Sequence, residues 1–376
     1  MADRRPRILV AISDFVGGGA ERELCNLLHF LEGSPFDFHL CVWRPVFDYK
    51  PPASVPVHVM RKFKAWHIPR TIERTRRLID DLQPDLVFSH LPCVSATTGA
   101  ALLLSKTRPR WIARLAGNPI VDMPYPQLPI QRAIFQRADI VAGCSAGVAD
   151  AVVRHLQVSP SRVRILPNVV ARDEILRLAS QPLPISKDPE CFTIVNAGRF
   201  TEQKNQQLLL RAFAKLRGQR AELWMLGKGP LGRSLKQLAR ELEIEAQVRW
   251  LGFLPNPYPL FRAADCFVLS SNHEGLPNVL IEALLCGTTV ISTDCPFGPS
   301  EIVRHGINGF LIPPGDVDSL AKHLSILAND RALRQTLAES ASKDAERDYH
   351  PSRAVQCHEE LFREVLFGRR ETAFVG

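Results

Sequence analysis

No long apolar run occurs in the sequence. No window approaches the roughly 20 apolar residues that a membrane-spanning helix needs. The basic residues Arg4 and Arg5 precede an apolar run, Ile8–Ile12, of only five residues. That is too short for the core of a signal peptide, and no small-residue cleavage site follows. It reads instead as a buried first strand. Paired cysteines are also missing. The nine cysteines are scattered, their number is odd, none forms a C-x-x-C pair, and no His/Cys cluster has zinc spacing. This excludes a legible metal centre and points to reduced core thiols in a cytosolic protein. Apolar residues at 45% and charged residues at 23% are ordinary for a globular chain and do not indicate disorder.

The charge that is present is unevenly placed. The net charge is +8, and residues 1–180 carry 24 Lys/Arg against 16 Asp/Glu, while residues 181–376 carry 23 of each. A basic first half favours an anionic partner: a membrane surface, a phosphorylated lipid or a nucleic acid. The same excess reads equally as a means of staying soluble.

A chain of 376 residues is long for one core, so two domains are expected. Short apolar runs alternate with helical patterns. Ile8–Ile12 ends at Gly17-Gly18-Gly19, and Leu24, Leu27, Leu28 and Leu31 then lie on one helical face. Further strands are expected at 38–43, 86–89, 111–113, 140–143 and 163–166, with helices over 70–82, 131–137 and 146–155. A stretch rich in proline and turn formers, 180–189, marks a linker. The alternation restarts with strands at 192–198, 222–227, 248–253, 266–270, 289–292 and 310–312, and with helices over 206–216, 231–242, 256–263 and 277–285. Such alternation means parallel sheets covered on both faces. The expected fold is α/β, with two tandem Rossmann-like, doubly wound domains. Their boundaries are placed at 1–183 and 184–350, followed by a C-terminal helix and tail over 351–376.

Two constellations carry chemistry. Ser270-Ser-Asn-His-Glu274-Gly-Leu-Pro-Asn-Val-Leu-Ile-Glu282 places one acid in a loop after a strand and a second on the next helix. The helix start, Gly275–Val279, offers free backbone N–H groups to a phosphate. Carboxylates can hold the hydroxyl pairs of a sugar, and amides can hold a diphosphate. The competing reading is a capped helix with surface acids. The second constellation is Gly198-Arg199-Phe-Thr-Glu-Gln-Lys204-Asn205, after the first strand of the second domain. Arg199 can grip a phosphate through two parallel bonds, and Lys204 adds a point charge. Their charge can stabilise a leaving diphosphate without a metal. The glycine loop Gly17-Gly18-Gly19 fails as a dinucleotide fingerprint, because Arg22 stands at the third glycine's place. It remains sound as a backbone site closing on a phosphate or a sugar.

These pieces, in order, resemble glycosyltransferase family 4, retaining enzymes of the two-Rossmann-domain GT-B class. The match includes the Gly17–Arg22 loop, Leu166-Pro-Asn168, Gly198-Arg199 with Lys204-Asn205, Gly227-x-Gly229 and Leu251-Gly252-Phe253. It continues through Glu274/Glu282 and Gly298-Pro-Ser-Glu301 to Asn308-Gly309. The resemblance implies a cleft between the domains and a final helix that crosses back to the first. It implies that Arg199 and Lys204 hold the donor diphosphate, Glu274 contacts the transferred sugar and Glu282 binds the ribose. Gly275, Leu276, Pro277, Asn278 and Val279 would touch sugar and distal phosphate, and Phe253 would lie near the base. Gly17, Gly18 and Gly19 would close on the donor, which a family-level preference makes a UDP-sugar rather than a GDP-sugar. No metal or other cofactor is expected.

One departure concerns histidine. Many members carry one after the strand equivalent to Trp111-Ile112-Ala113, where this chain reads Arg114-Leu-Ala-Gly-Asn118. Arg114 or Asn118 then faces the site, and His90 is the nearest other candidate for a catalytic group. The expected activity is retaining transfer of a sugar to a lipid-linked or polysaccharide acceptor at the cytoplasmic face of a membrane. The stretch Arg61-Lys62-Phe63-Lys64-Ala65-Trp66, with Arg70, Arg74, Arg76 and Arg77, mixes bases and aromatics as a headgroup-docking surface would. Alternatives on the same fold are a nucleotide-sugar epimerase and a catalytically idle scaffold. A nucleic-acid binder would leave both constellations idle, so nucleic acid is not expected as a partner.

Overall fold

The first apolar run folds as β1 (Arg7–Ile12) and the glycine loop leads into α1 (Gly19–Phe30). There follow β2 (Asp37–Val42), β3 (Val57–Val59), α2 (Ile68–Leu82), β4 (Leu86–His90), α3 (Pro92–Leu104) and β5 (Arg110–Leu115). Then come α4 (Leu128–Phe135), β6 (Ile140–Gly143), α5 (Ala146–Leu156) and β7 (Val163–Ile165). This computed structural model describes residues 4–119, 121–122 and 128–368. The seven strands are parallel, in the order β3-β2-β1-β4-β5-β6-β7, so the winding reverses between β1 and β4. Register sets Ile8 beside both Phe38 and Leu86. Helices cover both faces, which is why the central strands read as unbroken apolar runs rather than alternating ones.

The second half contributes α6 (Arg172–Ala179), β8 (Phe192–Ala197), α7 (Gln206–Ala214), β9 (Ala221–Leu226), α8 (Gly232–Glu241) and β10 (Val248–Gly252). It continues with α9 (Tyr258–Ala263), β11 (Cys266–Leu269), α10 (Asn278–Leu285), β12 (Val290–Thr293), α11 (Pro299–Ile302) and β13 (Phe310–Ile312). Three helices end the described chain: α12 (Val317–Asn329), α13 (Arg331–Asp348) and α14 (Pro351–Phe367). The parallel order is β10-β9-β8-β11-β12-β13, with its reversal between β8 and β11. Neighbouring strand residues serve opposite cores. Ile194, Leu223 and Val268 pack with residues of α7, α8 and α12. Val195, Trp224 and Phe267 pack with residues of α6, α9 and α10.

The chain divides into two compact units. One runs to Val169 and includes the segment from Pro351, and the other is Val170–His350. The division falls at 169/170 and not at the expected 183/184. The reason is α6, whose Ile175 and Ala179 are buried in one core with Tyr258, Phe261 and Leu280. The proline-rich linker therefore lies inside the second unit. The helix α14 belongs to the first unit: its Phe362 ring meets Phe36 at 5.8 Å, Phe88 at 5.1 Å and Phe38 at 6.3 Å. Pro351 opens α14, where its missing N–H costs nothing.

Candidate active site

In open parallel sheets, ligands bind beyond the C-terminal strand ends at the point where the winding reverses. In the second unit that point is β8/β11, and the loops following β8, β11 and β12 meet there. Asn272 N donates to Gln203 O at 2.7 Å, and the Asn272 amide donates to Glu202 O at 2.8 Å. Ser270 Oγ donates to Lys204 O at 2.9 Å, and Asn205 Nδ2 donates to Asn272 Oδ1 at 3.0 Å. Glu274 N donates to Pro296 O at 2.7 Å, and Phe297 N returns a bond to Glu274 O at 3.0 Å. Two expected groups are thus fixed through their own backbones.

Their side chains meet as well. Lys204 Nζ lies 2.5 Å from Glu274 Oε1, with side chains only 16% and 7% exposed. Ser271 Oγ donates to the same oxygen at 2.6 Å, and Thr293 Oγ1 holds Ser271 O at 2.6 Å. The aliphatic stem of Lys204 lies over Gly198, where an added Cβ would stand 3.5 Å from it. Gly298 has φ +92, and a Cβ there would come within 2.7 Å of Gly275 O, so only glycine lets this loop back the start of α10.

Pro277 takes the N-cap position of α10, with Asn278 its first residue. Glu282 lies on the second turn and is buried. The Arg199 guanidinium is exposed and has no ion pair among the described residues, while its carbonyl accepts from Gln206 Nε2 at 3.0 Å. Gly227 and Gly229 bring the β9 loop against the β8 loop, since a Cβ on either would strike backbone of Gly198 or Phe200. Phe253 is exposed just beyond β10. The second unit therefore gathers a cation pair, two buried acids and a helix start on one sheet edge. Such a set can neutralise a diphosphate and grip vicinal hydroxyls.

Other expected groups lie in the first unit. Gly17 has φ +50, Gly18 is the N-cap of α1 and Gly19 opens it, at the C-terminal end of β1. His90 does not face solvent. It is wholly buried, with Nδ1 3.5 Å from Arg114 Nη1 and 3.9 Å from Glu23 Oε2, and it meets the Phe88 ring edge-on at 4.6 Å. Burial first, then the charges of Arg114 and His358, push its pKa well below the usual histidine range. His90 therefore belongs to an internal polar cluster of the first unit and not to an accessible surface.

Arg114 and Asn118 are corrected in the same way, because both are buried. Arg114 Nη1 donates to Glu23 Oε2 at 2.7 Å and Nη2 to Asn168 Oδ1 at 2.6 Å. His358 of α14 brings Nε2 to 3.9 Å from Glu23 Oε1. Burial raises the Glu23 carboxyl, and the Arg114 charge opposes that rise.

The basic stretch divides. Phe63 and Trp66 are 61% and 69% exposed, Lys64 Nζ sits 4.6 Å over Trp66, and Lys62 Nζ sits 4.1 Å over Trp43. Arg76 and Arg77 instead pair with Glu73, and Arg76 also pairs with Asp80. Arg74 bonds Met60 O. Hydrogen bonds from Arg76 and Arg77 hold the Glu73 carboxyl down to about 2. The cations left to face a headgroup are Arg61, Lys62, Lys64 and Arg70. No described helix is long and apolar enough to cross a membrane. Ser271 and the 293–298 loop are functional supports that residue types did not suggest, although Ser271 stands three places before Glu274.

Comparison with known proteins bears on the fold and the family. Residues 17–174 match the family model for Glycosyltransferase Family 4, and residues 181–344 match that for glycosyl transferases group 1. An uncharacterised glycosyltransferase of Methanocaldococcus jannaschii is 32% identical over 62% of this chain and 61% of its own length. The N-acetylgalactosamine-N,N'-diacetylbacillosaminyl-diphospho-undecaprenol 4-alpha-N-acetylgalactosaminyltransferase of Campylobacter jejuni is 32% identical over 56% of this chain and 57% of its own. The chain thus spans about three fifths of the length of these curated relatives. Among solved structures, HepE of Anabaena, crystallised with UDP and glucose, superposes with a TM-score of 0.80 at 20% identity, covering 94% of this chain and 98% of HepE. With two family models in tandem, two parallel α/β units and GT-B neighbours, the chain belongs to the family 4 glycosyltransferases.

Proposed function

We propose that this chain transfers a sugar from a nucleoside-diphosphate sugar, a UDP-sugar, to a lipid-linked or polysaccharide acceptor, with retention at the anomeric carbon. One observation carries the donor half: Lys204 and Glu274 in contact on the sheet edge that also presents Arg199, Glu282 and the start of α10. Breaking the anomeric bond builds negative charge on the leaving diphosphate. Arg199, Lys204 and the α10 amides are placed to stabilise it. Glu274 holds hydroxyls of the transferred sugar and Glu282 those of the ribose. The departing phosphate oxygen takes the acceptor proton and guides attack from its own face, so no side-chain nucleophile is assigned. The two cations supply the charge that a metal would otherwise bring.

UDP is chosen because HepE, similar in fold, was crystallised with it. The lipid-linked acceptor is supported by the Campylobacter relative, whose name includes a diphospho-undecaprenol carrier. Exposed Phe63 and Trp66 beside Arg61, Lys62, Lys64 and Arg70 support docking on the anionic cytoplasmic leaflet. The test incubates a panel of UDP- and GDP-sugars with and without undecaprenyl-diphosphate-linked glycans, in buffer containing EDTA. Transfer only when acceptor is present, with the anomeric configuration of the donor by NMR, is expected. Conversion of the donor to an epimeric sugar nucleotide without acceptor would make the chain an epimerase, and no consumption at all would make it a scaffold. Sedimentation with anionic vesicles tests the surface. Binding that survives replacement of Arg61, Lys62 and Lys64 by alanine would place the anchor elsewhere.

A further inference from the structure

Lys204 and Glu274 are assigned to different parts of the donor, yet in the structure they hold each other at 2.5 Å. Both are largely shielded from water, and among the described residues the shared oxygen, Oε1, has one further partner, the Ser271 hydroxyl at 2.6 Å. A shielded carboxylate that loses its cation is costly unless other donors replace it. An intact sugar nucleotide supplies them: its diphosphate draws Lys204 away while its sugar hydroxyls donate to Glu274. A bare nucleoside diphosphate has no sugar. It draws the same ammonium and leaves Glu274 with Ser271 alone.

We propose that the Lys204–Glu274 pair, steadied by Ser271, makes this site discriminate between the intact sugar nucleotide and the nucleoside diphosphate released from it. The discrimination rests on Lys204 holding the diphosphate, as proposed above. Glu274 is then a specificity determinant as well as a sugar contact. Product binds weakly because its arrival exposes a charge conflict that the substrate resolves. Ser271 is a positioning residue that lowers the cost of splitting the pair.

The test is isothermal titration of the full chain with UDP and, in parallel, GDP. The variants are Glu274→Gln, Ser271→Ala, Lys204→Met and the double variant Lys204→Met/Glu274→Gln. Glu274→Gln is expected to lose transfer yet bind the preferred nucleotide about tenfold more tightly than the wild type, the scale of a partly shielded charge pair. That gain disappears in the Lys204→Met background. Ser271→Ala shifts affinity the opposite way, a few-fold weaker, because the carboxylate then depends more on the ammonium. It keeps the idea testable should Glu274→Gln fold poorly. Equal or weaker nucleotide binding by Glu274→Gln overturns the proposal. So does a gain that persists without Lys204, which would reflect plain repulsion between acid and phosphate. If neither nucleotide binds the wild type, or Lys204→Met binds as tightly as the wild type, the donor assignment itself fails. Failure of the discrimination alone leaves wild-type binding and its dependence on Lys204 intact.

Discussion

Replacing Glu23 with glutamine is expected to destabilise the first unit far more than its small change of shape suggests. Glu23 and Arg114 are wholly buried, 2.7 Å apart, and the guanidinium also meets Asn168, Leu166 O and, at 3.5 Å, His90 Nδ1. The amide keeps the volume but removes the one anion that pairs with this buried cation among the described residues. Breaking such a pair from one side costs about 3–5 kcal/mol, because the surviving charge cannot return to water. For a unit of this size each kcal/mol lowers the midpoint by roughly 2–4 °C, so a fall of about 6–20 °C follows. Differential scanning calorimetry on the full chain reads it directly, with the transition of the second unit as an internal reference. Replacing both partners with methionine recovers most of the loss, since no charge then stays buried. A fall of under 2 °C for Glu23→Gln, or a double variant as unstable as the single one, would refute the claim that charge pairing holds this cluster.

Acid acting through the two buried histidines should weaken the same region, while the raised Glu23 carboxyl works in the opposite sense. Burial lowers the pKa of His358 to about 3, so between the unfolded value of about 6.5 and that folded value the unfolded state binds the extra proton and stability falls with pH. His358 alone costs on the order of 1–2 kcal/mol from pH 6.5 to 5, with His90 acting in the same direction. His358→Phe should flatten the pH profile of the melting temperature, and an unchanged slope would count against burial as its cause. Gly298→Ala meets φ +92 and a Cβ within 2.7 Å of Gly275 O, so it should lose about 1–3 kcal/mol and depress donor turnover, read by urea melts and initial rates. Arg199→Lys keeps the charge but loses the fork. A fall of about tenfold or more in kcat/KM for donor is expected, and wild-type kinetics would remove Arg199 from the diphosphate site.

The fold was legible because both sheets are parallel and covered on both sides. Runs such as Ile8–Ile12 and Cys266–Leu269 therefore stand out as short apolar blocks between helical patterns. The helix α3 gives no such signal. It is apolar on nearly every side, from Pro92 to Leu104, so no stripe marks it as a helix. The helix α6 is short, with four charged residues among its eight, and prolines at 182, 184 and 189 follow it, so they draw the eye to a boundary that packing places earlier. Glu274 and Glu282 were legible because their spacing, a loop acid and then a second-turn acid, is local. The His90 cluster was not. Glu23 and Arg114 lie 91 positions apart, and nothing in either segment reveals that they meet inside the unit. The pairing of Arg76 and Arg77 with Glu73 lay within reach, since i,i+3 and i,i+4 spacing along a helix predicts it.

The return of α14 to the first unit has a consequence for how the chain is made. The first unit is split in sequence, with Phe362 and His358 arriving after the whole of Val170–His350 has been translated. At roughly 5–20 residues per second, that interval lasts about 10–35 s. Throughout it, the faces of Phe36, Phe38 and Phe88 that Phe362 will cover lie bare on the nascent polypeptide, and the Glu23 carboxylate awaits its last neighbour. The second unit is continuous and can close beside the ribosome first, so chaperone capture should concentrate on the half of the molecule that was synthesised earliest.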